Sequence, residues 1–491
     1  MLRRNLISLA LASAMLTPLA APAYAQSSPR AVQTAVALER PIVSRHEGRF
    51  NGRRVAYDAF VERVATRDAQ GVPAAQLGVI SYVARDQGAG HERPVIFIFN
   101  GGPGAASHLL HMGAMGPKRL AIPDDITAPA ADFRVIENQY SLLDVADLVF
   151  FDPPGTGFSR MEPGVSLDSQ HSVAADATQL VELVRGWTAK HGRQNSPRYL
   201  IGESYGTVRV AEAASQLQAA GLPLDGAVMI SQGVNILEYA QRPGNIISFA
   251  VSLPTLSAIA WSHGRADRQG RSFEQFIADA SAFGGGEYLN LLFLGDKAPE
   301  DRRRIAAAKL EEFTGISRDY YLSHDLKITK QEYRFALFPG QVLGEHDARY
   351  VGPVAGGDPF RVVTSGYART FKEYLEKDLH AAQVGTYINM DPIGFNDWDW
   401  GPNRSPFGNW DFTKLVTGVF EANPRFHLMV ANGYYDTQTT VGAMDYLVNQ
   451  SPWPSDRVTS ASYQGGHMAY TVEGSLERLN NDIRRLIERS R

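Results

Sequence analysis

The heptapeptide Ile201-Gly202-Glu203-Ser204-Tyr205-Gly206-Thr207 constrains this chain more than any other stretch of it. A short apolar run with the character of a strand (Tyr199, Leu200, Ile201) precedes it. The helix-compatible residues Val208-Arg209-Val210-Ala211-Glu212-Ala213-Ala214 follow. Strand, tight turn and helix around Gly-x-Ser-x-Gly form the context of a nucleophile elbow. So sharp a turn leaves no room for a side chain on either flank, and glycine supplies that room. Ser204 would then project from the crest of a parallel sheet, at a helix N-terminus whose dipole favours developing negative charge. The pentapeptide alone also fits an ordinary Gly-Ser-Gly loop, so its meaning depends on partners elsewhere in the chain.

An elbow of this kind works with an acid and then a histidine in chain order, each on a loop at the carboxyl end of a strand. Phe426-His427-Leu428-Met429-Val430 reads as a strand, and Ala431-Asn432-Gly433-Tyr434-Tyr435-Asp436 follows it. Val458 to Gln464 reads as the last strand, and Gly465-Gly466-His467-Met468 follows that. Asp436 and His467 are therefore the candidate partners: His467 would take the serine proton, and Asp436 would fix its tautomer and orientation. Of the twelve histidines, His467 alone lies in a glycine-flanked turn directly after a late strand. His108 and His111 have a spacing that a metal site could use, but no carboxylate or further histidine nearby completes one; neither metal nor cofactor is expected. An oxyanion hole needs the amide after the nucleophile, that of Tyr205, and another from the loop after an earlier strand. Asn100-Gly101-Gly102-Pro103-Gly104, directly after Val95–Phe99, is an apt source. A phosphate-cradling loop is the other reading of those glycines, but the Lys and Ser/Thr of a P-loop are missing.

The rest of the chain sets these loops in an α/β frame. Residues 26–45 read as an extended, loosely ordered lead-in. Asn51-Gly52 then separates a short β run from Arg53–Val61 as a hairpin signal, and Leu77–Val83 alternates as another antiparallel strand. Val95–Phe99 and Leu148–Phe151 are continuous apolar runs, as strands buried on both faces of a parallel sheet require. A helical pattern over 172–190, the Ser204 strand and helix, and a strand at Gly226–Ser231 complete the alternation. From 236 to 395 the strand rhythm gives way to helical patterns (Phe273–Phe283, Glu300–Phe313, Phe371–Leu379). This stretch is too long for a connection and reads as an inserted, mainly helical cap. The expectation is an α/β-hydrolase fold: a mixed, mostly parallel sheet whose core runs over 26–235 and 396–491, with the cap at 236–395. Trp398, Trp400 and Tyr350 could line a pocket there or pack a core, and packing is favoured for such aromatics.

Met1-Leu2-Arg3-Arg4-Asn5, the apolar run Leu6–Ala20 and Ala23-Tyr24-Ala25 read as the basic, hydrophobic and cleavage regions of a signal peptide over 1–25. The run is short and interrupted by Pro18, which suits export better than a membrane span. A periplasmic or secreted protein, with no membrane association after cleavage, is expected. It contains no cysteine, which excludes thiol catalysis and thiolate metal sites and leaves its stability to the core. Net charge is −4 with both signs well mixed, so nothing suggests nucleic-acid binding.

Four segments together resemble the serine carboxypeptidase family (peptidase family S10), in the form of a bacterial exported member. They are Asn100-Gly101-Gly102-Pro103-Gly104-Ala105-Ala106-Ser107, Asp152-Pro153-Pro154-Gly155-Thr156-Gly157-Phe158-Ser159, Gly202-Glu203-Ser204-Tyr205-Gly206 and Gly465-Gly466-His467-Met468. The resemblance implies removal of C-terminal residues from peptide substrates by acyl-enzyme chemistry. It gives Ser204, Asp436 and His467 the triad roles and the Gly102 and Tyr205 amides the oxyanion. It assigns Asn100, the Gly101 amide and Glu203 to the substrate's terminal carboxylate. Ala105 replaces a cysteine frequent in eukaryotic relatives, and Ala114 falls where relatives often carry a second glutamate bonded to the first. Physically, an ionised Glu203 would repel an incoming carboxylate, whereas a protonated one donates to it, so activity on peptides should favour acidic pH. Glu203 could instead simply begin a helix whose dipole welcomes it. An esterase or acyltransferase using the same three residues, and a catalytically silent binding protein, are the alternative readings.

Overall fold

A computed structural model describes residues 38, 40–85, 93–401 and 411–490. The expected signal peptide and the first part of the expected lead-in lie outside the described residues. Strands β1 (Ile42–Phe50) and β2 (Arg53–Arg67) pair antiparallel from Phe50↔Arg53 to Ile42↔Val61. Their turn is Asn51-Gly52, both at positive φ (47° and 78°), the conformation a two-residue hairpin demands. The expected lead-in over 26–45 is thus corrected at its end, where Ile42–Arg45 already belong to an edge strand. Only pairing with β2 makes a strand of this polar, alternating stretch.

The chain continues through β3 (Pro73–Ala84), β4 (Val95–Phe99), β5 (Asp147–Phe150), β6 (Arg160–Met161), β7 (Arg198–Glu203), β8 (Gly226–Ile230), β9 (His427–Gly433) and β10 (Val458–Tyr463). These ten strands form one mixed sheet in the order β1-β2-β3-β5-β4-β7-β8-β9-β10, with β6 paired to β3. The β1–β2, β2–β3, β3–β5 and β3–β6 pairs are antiparallel; every pair from β5–β4 to β9–β10 is parallel. This is the α/β-hydrolase class of sheet. The chain moves outward from β4 to β5 and then crosses back to β7 on the other side of β4. Open α/β sheets bind their ligands in the crevice at such a reversal, beyond the carboxyl ends of the strands. Here that crevice lies between Asn100, which follows β4, and Ser204, which follows β7.

Alternation along the strands divides the core between two faces. Ile96, Ile98, Leu148, Phe150, Tyr199, Ile201, Val228 and Ile230 face one cluster; Val95, Phe97, Phe99, Val149, Leu200, Ala227 and Met229 face the other. The second face is covered by α1 (Val173–Lys190), α2 (Tyr205–Ala219) and a helix over Thr413–Ala422. The first is covered by helices at Arg361–Lys377 and Glu473–Arg489. Ser172 caps α1 by accepting from the Ala175 N–H.

Residues 249–348 contribute nearly all of a third hydrophobic cluster, built on helices at Leu253–Ser262, Phe273–Phe283, Glu300–Thr314 and Lys330–Ala336, which Tyr435 joins. The last of these helices begins with a capping box between Thr329 and Glu332. The spacing predicts a helix over Phe371–Leu379, but the helix observed starts ten residues earlier, at Arg361. Its first turns contain Val362, Val363, Thr364 and Gly366, all weak helix formers. A Cβ at Gly366 would come within 2.8 Å of the Phe133 ring, so close packing overrides propensity there.

Candidate active site

Ser204 has φ 60° and ψ −129°, a strained backbone for a residue with a side chain. A Cβ on Gly202 would run into the Gly206 carbonyl, which is why this turn tolerates glycine alone at that flank. Its amide donates to the Ile230 carbonyl at 2.9 Å, and its hydroxyl caps no helix amide. Every other residue from Arg198 to Ala211 is buried; Ser204 alone is partly open. The fold therefore presents this one hydroxyl at the sheet crest.

The structure brings Asp436 and His467 together: His467 Nδ1 stands 2.7 Å from Asp436 Oδ2, both residues buried. Asp436 Oδ1 accepts from the Gln438 and Thr439 amides at 2.8 and 3.2 Å, and the Thr439 hydroxyl donates to Oδ2 at 2.7 Å. Four donors thus surround the carboxylate and orient it. Burial alone would lower the His467 pKa, but the charge and hydrogen bond of Asp436, with the charges of Glu203 and Glu345, raise it overall. The Ser231 hydroxyl donates to the His467 carbonyl at 2.6 Å, tying the histidine loop to the end of β8, beside the elbow.

The Asn100–Gly104 loop lies against the elbow from the β4 side. A Cβ on Gly101 would stand 2.5 Å from the Tyr205 nitrogen and 2.6 Å from the Glu203 carbonyl oxygen, so only glycine admits this approach. Gly102 has φ 104° and a cis peptide to Pro103. Arg209, completely buried on α2, donates to the Asn100 carbonyl at 2.6 Å and to Asp176 at 2.7 Å. The Tyr205 hydroxyl donates to the same Asp176 oxygen at 3.0 Å. One buried ion pair therefore fastens the glycine loop and the residue after Ser204 to a common post. Trp398 and Trp400 pack edge-on against the Tyr205 ring and are buried, while Tyr350 packs on Phe360.

Asn100 and Glu203 are each 2 % exposed and bonded to one another, Asn100 Nδ2 donating to Glu203 Oε1 at 2.7 Å. Burial pushes the Glu203 carboxyl up to about 7; His467, Tyr470 and Asn100 oppose that rise and Asp436 adds to it. The Tyr470 hydroxyl faces this carboxyl group, and Tyr367 lies close by. The Tyr470 ring fills the space in front of Gly113, next to Ala114. A phenol thus occupies the ground where the resemblance led us to look for a second acid.

Asp152 serves as a brace. It accepts from the Ser107 amide and hydroxyl, each at 2.7 Å, and so ties the end of β5 to the glycine loop. His108 and His111 are buried among aromatic rings. Desolvation pushes His108 down to about 4, and His111 stacks on Phe150 at 3.8 Å and pairs with the Tyr82 hydroxyl at 2.6 Å. Among the described residues no group of three or more His, Cys, Asp or Glu could hold a metal. Arg209, Asp176, Tyr470 and the Gly344–Arg349 stretch went unnoticed in the sequence. Tyr470 offered one signal, its place shortly after His467 in the chain.

Residues 82–222 match the family model described as serine carboxypeptidase. Over 118 residues, 24 % of its length, the chain is 31 % identical to a pheromone-processing carboxypeptidase of Cryptococcus gattii, and it spans 16 % of that relative. The crystal structure of a prohormone-processing carboxypeptidase from Saccharomyces cerevisiae superposes with a TM-score of 0.53 at 13 % identity, covering 88 % of this chain and 91 % of that one, which speaks for a shared fold. The matched stretch contains the glycine loop, the Asp152 brace and the Ser204 elbow, and over these residues the chain is similar to the serine carboxypeptidase family.

Proposed function

We propose that this protein is a serine carboxypeptidase that releases C-terminal residues from peptides through an acyl-enzyme, with a preference for acidic pH. The observation that carries this reading is the buried Asn100–Glu203 pair, whose glutamate immediately precedes Ser204 in the chain. A neutral ester has no use for a carboxyl group held protonated below pH about 7, whereas a peptide's terminal carboxylate has.

In this mechanism Ser204 Oγ attacks the last peptide carbonyl while His467 Nε2 takes its proton, and Asp436 Oδ2 accepts from Nδ1–H and stabilises the imidazolium. The Tyr205 and Gly102 amides donate to the oxyanion. Collapse breaks the C–N bond, and His467 returns the proton to the departing amine. Water, deprotonated by the same imidazole, then attacks the acyl-enzyme and frees both Ser204 and the shortened peptide. Protonated Glu203, with Asn100 and the Gly101 amide, holds the terminal carboxylate, so catalysis draws on one group that must keep its proton and one that must lack it. Peptides are the proposed partners, and the periplasm or the medium the proposed location, after loss of residues 1–25. We assign residues 236–395 to a cap whose surface governs side-chain preference.

The test pairs a blocked peptide with its amidated twin. Release of the last residue from the free acid alone supports the carboxypeptidase; turnover of simple esters without peptide release favours the esterase or acyltransferase. An unlabelled Ser204 after fluorophosphonate treatment of folded protein would point to a silent binding protein.

A further inference from the structure

The acid loop and the histidine loop are joined by more than the Asp436–His467 bond. Both are laced to one stretch of the helical region, Gly344–Arg349. On the acid side, the Thr437 hydroxyl donates to the Glu345 carbonyl at 2.6 Å, and the Ala348 amide donates to the Tyr435 carbonyl at 2.9 Å. On the histidine side, the His467 amide donates to the His346 carbonyl at 2.5 Å and the Gly466 amide donates to Asp347 Oδ2 at 3.0 Å. Asp347 is wholly buried, and Arg349 grips it with Nε 3.0 Å from Oδ1 and a terminal nitrogen 2.6 Å from Oδ2. The Arg349 guanidinium also lies 5.2 Å over the Tyr435 ring. No side chain fits at Gly466, where a Cβ would strike the His346 carbonyl.

We propose that Asp347 is a positioning residue for His467, and that the helical region sets the geometry of the imidazole through it. This rests on the reading of His467 as the general base. Successive amides, those of Gly466 and His467, are each held by this stretch, so the backbone that carries the imidazole is fixed at two adjacent points. The outer of these bonds has an ionised acceptor, which makes it stronger than an ordinary amide bond. Arg349 supplies the charge without which a buried carboxylate would be costly. Being fully buried, Asp347 acts through the histidine loop and not on substrate. A shift of about 1 Å in a catalytic group costs on the order of 10²-fold in rate.

Full-length protein carrying Asp347→Ala, Asp347→Asn or Gly466→Ala is assayed on a small neutral ester and on a blocked peptide, alongside fluorophosphonate labelling and a thermal melt. Asp347→Ala is expected to lower kcat on both substrates by roughly 10- to 100-fold with KM nearly unchanged. Asp347→Asn, whose amide oxygen still accepts from Gly466, should recover most of that loss. Gly466→Ala, which displaces the same stretch without touching a charge, should reproduce it. Wild-type kcat in Asp347→Ala overturns the proposal, as does wild-type kcat in Gly466→Ala when Asp347→Ala fails to fold. Ester turnover without peptide release overturns only the assignment of substrate. Unaltered protein that is not labelled overturns the general-base reading, and the role of Asp347 with it.

Discussion

Replacing Glu203 by glutamine separates two consequences that burial imposes on one carboxyl group. Desolvation carries its pKa from an ordinary 4.5 to about 7. That displacement corresponds to about 3 kcal/mol between the charged and neutral forms. The sign follows from linkage. Below pH 4.5 the group is protonated folded or unfolded and contributes nothing; between 4.5 and about 7 the unfolded chain releases a proton that the folded chain keeps. Stability therefore falls across that window and stays lower above it. Glutamine does not titrate, and its Oε1 accepts from Asn100 as the carboxyl does. The variant should match the parent at pH 4 and exceed it by up to about 3 kcal/mol at pH 8. For a chain of this size that is a difference of about 3 °C in melting temperature. The same substitution should alter peptide kinetics. In the parent, KM for a free-acid peptide should climb about tenfold per pH unit above pH 7, because the ionised carboxylate repels the substrate. In Glu203→Gln that limb should vanish, while neutral-ester turnover keeps only the His467 limb. Calorimetric melts from pH 4 to 8 beside peptide KM over the same range decide the matter. Melting curves that run parallel, or a KM limb that survives the substitution, would refute the reasoning.

Ser204→Ala should abolish turnover with the fold intact. Ser204→Gly should be inactive too, yet about 1 kcal/mol more stable than the alanine variant, because it relieves the positive-φ strain; scanning calorimetry of the pair measures this. His467→Ala should retain only about 10³-fold acceleration over water, the residue left by the oxyanion hole and binding, as read by single-turnover kinetics. Arg209→Met should cost about 3–5 kcal/mol, since Asp176 would be left charged, buried and unpaired. Thermal unfolding would show this, with partial recovery expected in the double variant with Asp176→Asn.

The elbow was legible because its demands are local. Two glycines around a serine, a β-like run before it and a helix after it state their geometry within a dozen residues. The strands were legible for the same reason: runs such as Val95–Phe99 and Leu148–Phe151 are apolar on both faces, and the fold buries both faces. The first residues of the β1 edge strand, Ile42–Arg45, and the first turns of the Arg361–Lys377 helix were not legible. Their residues favour neither state, and pairing or packing decides for them.

The site divides along the same line. Chain order and strand-end position were enough to select Asp436 and His467 from the sequence, because a sheet delivers the ends of its parallel strands to one edge. Whether Glu203 holds its proton, however, depends on which groups share its dry volume. Sequence offers no signal that Asp347 touches the amide of Gly466, 119 residues away, or that Arg209 fastens Asn100 to Asp176. Turn sterics and side-chain alternation are properties of neighbouring residues, so the sequence by itself determined the elbow, the sheet and the order of the catalytic candidates. Desolvation and charge pairing depend on which distant residues become neighbours, and only the tertiary structure decided those.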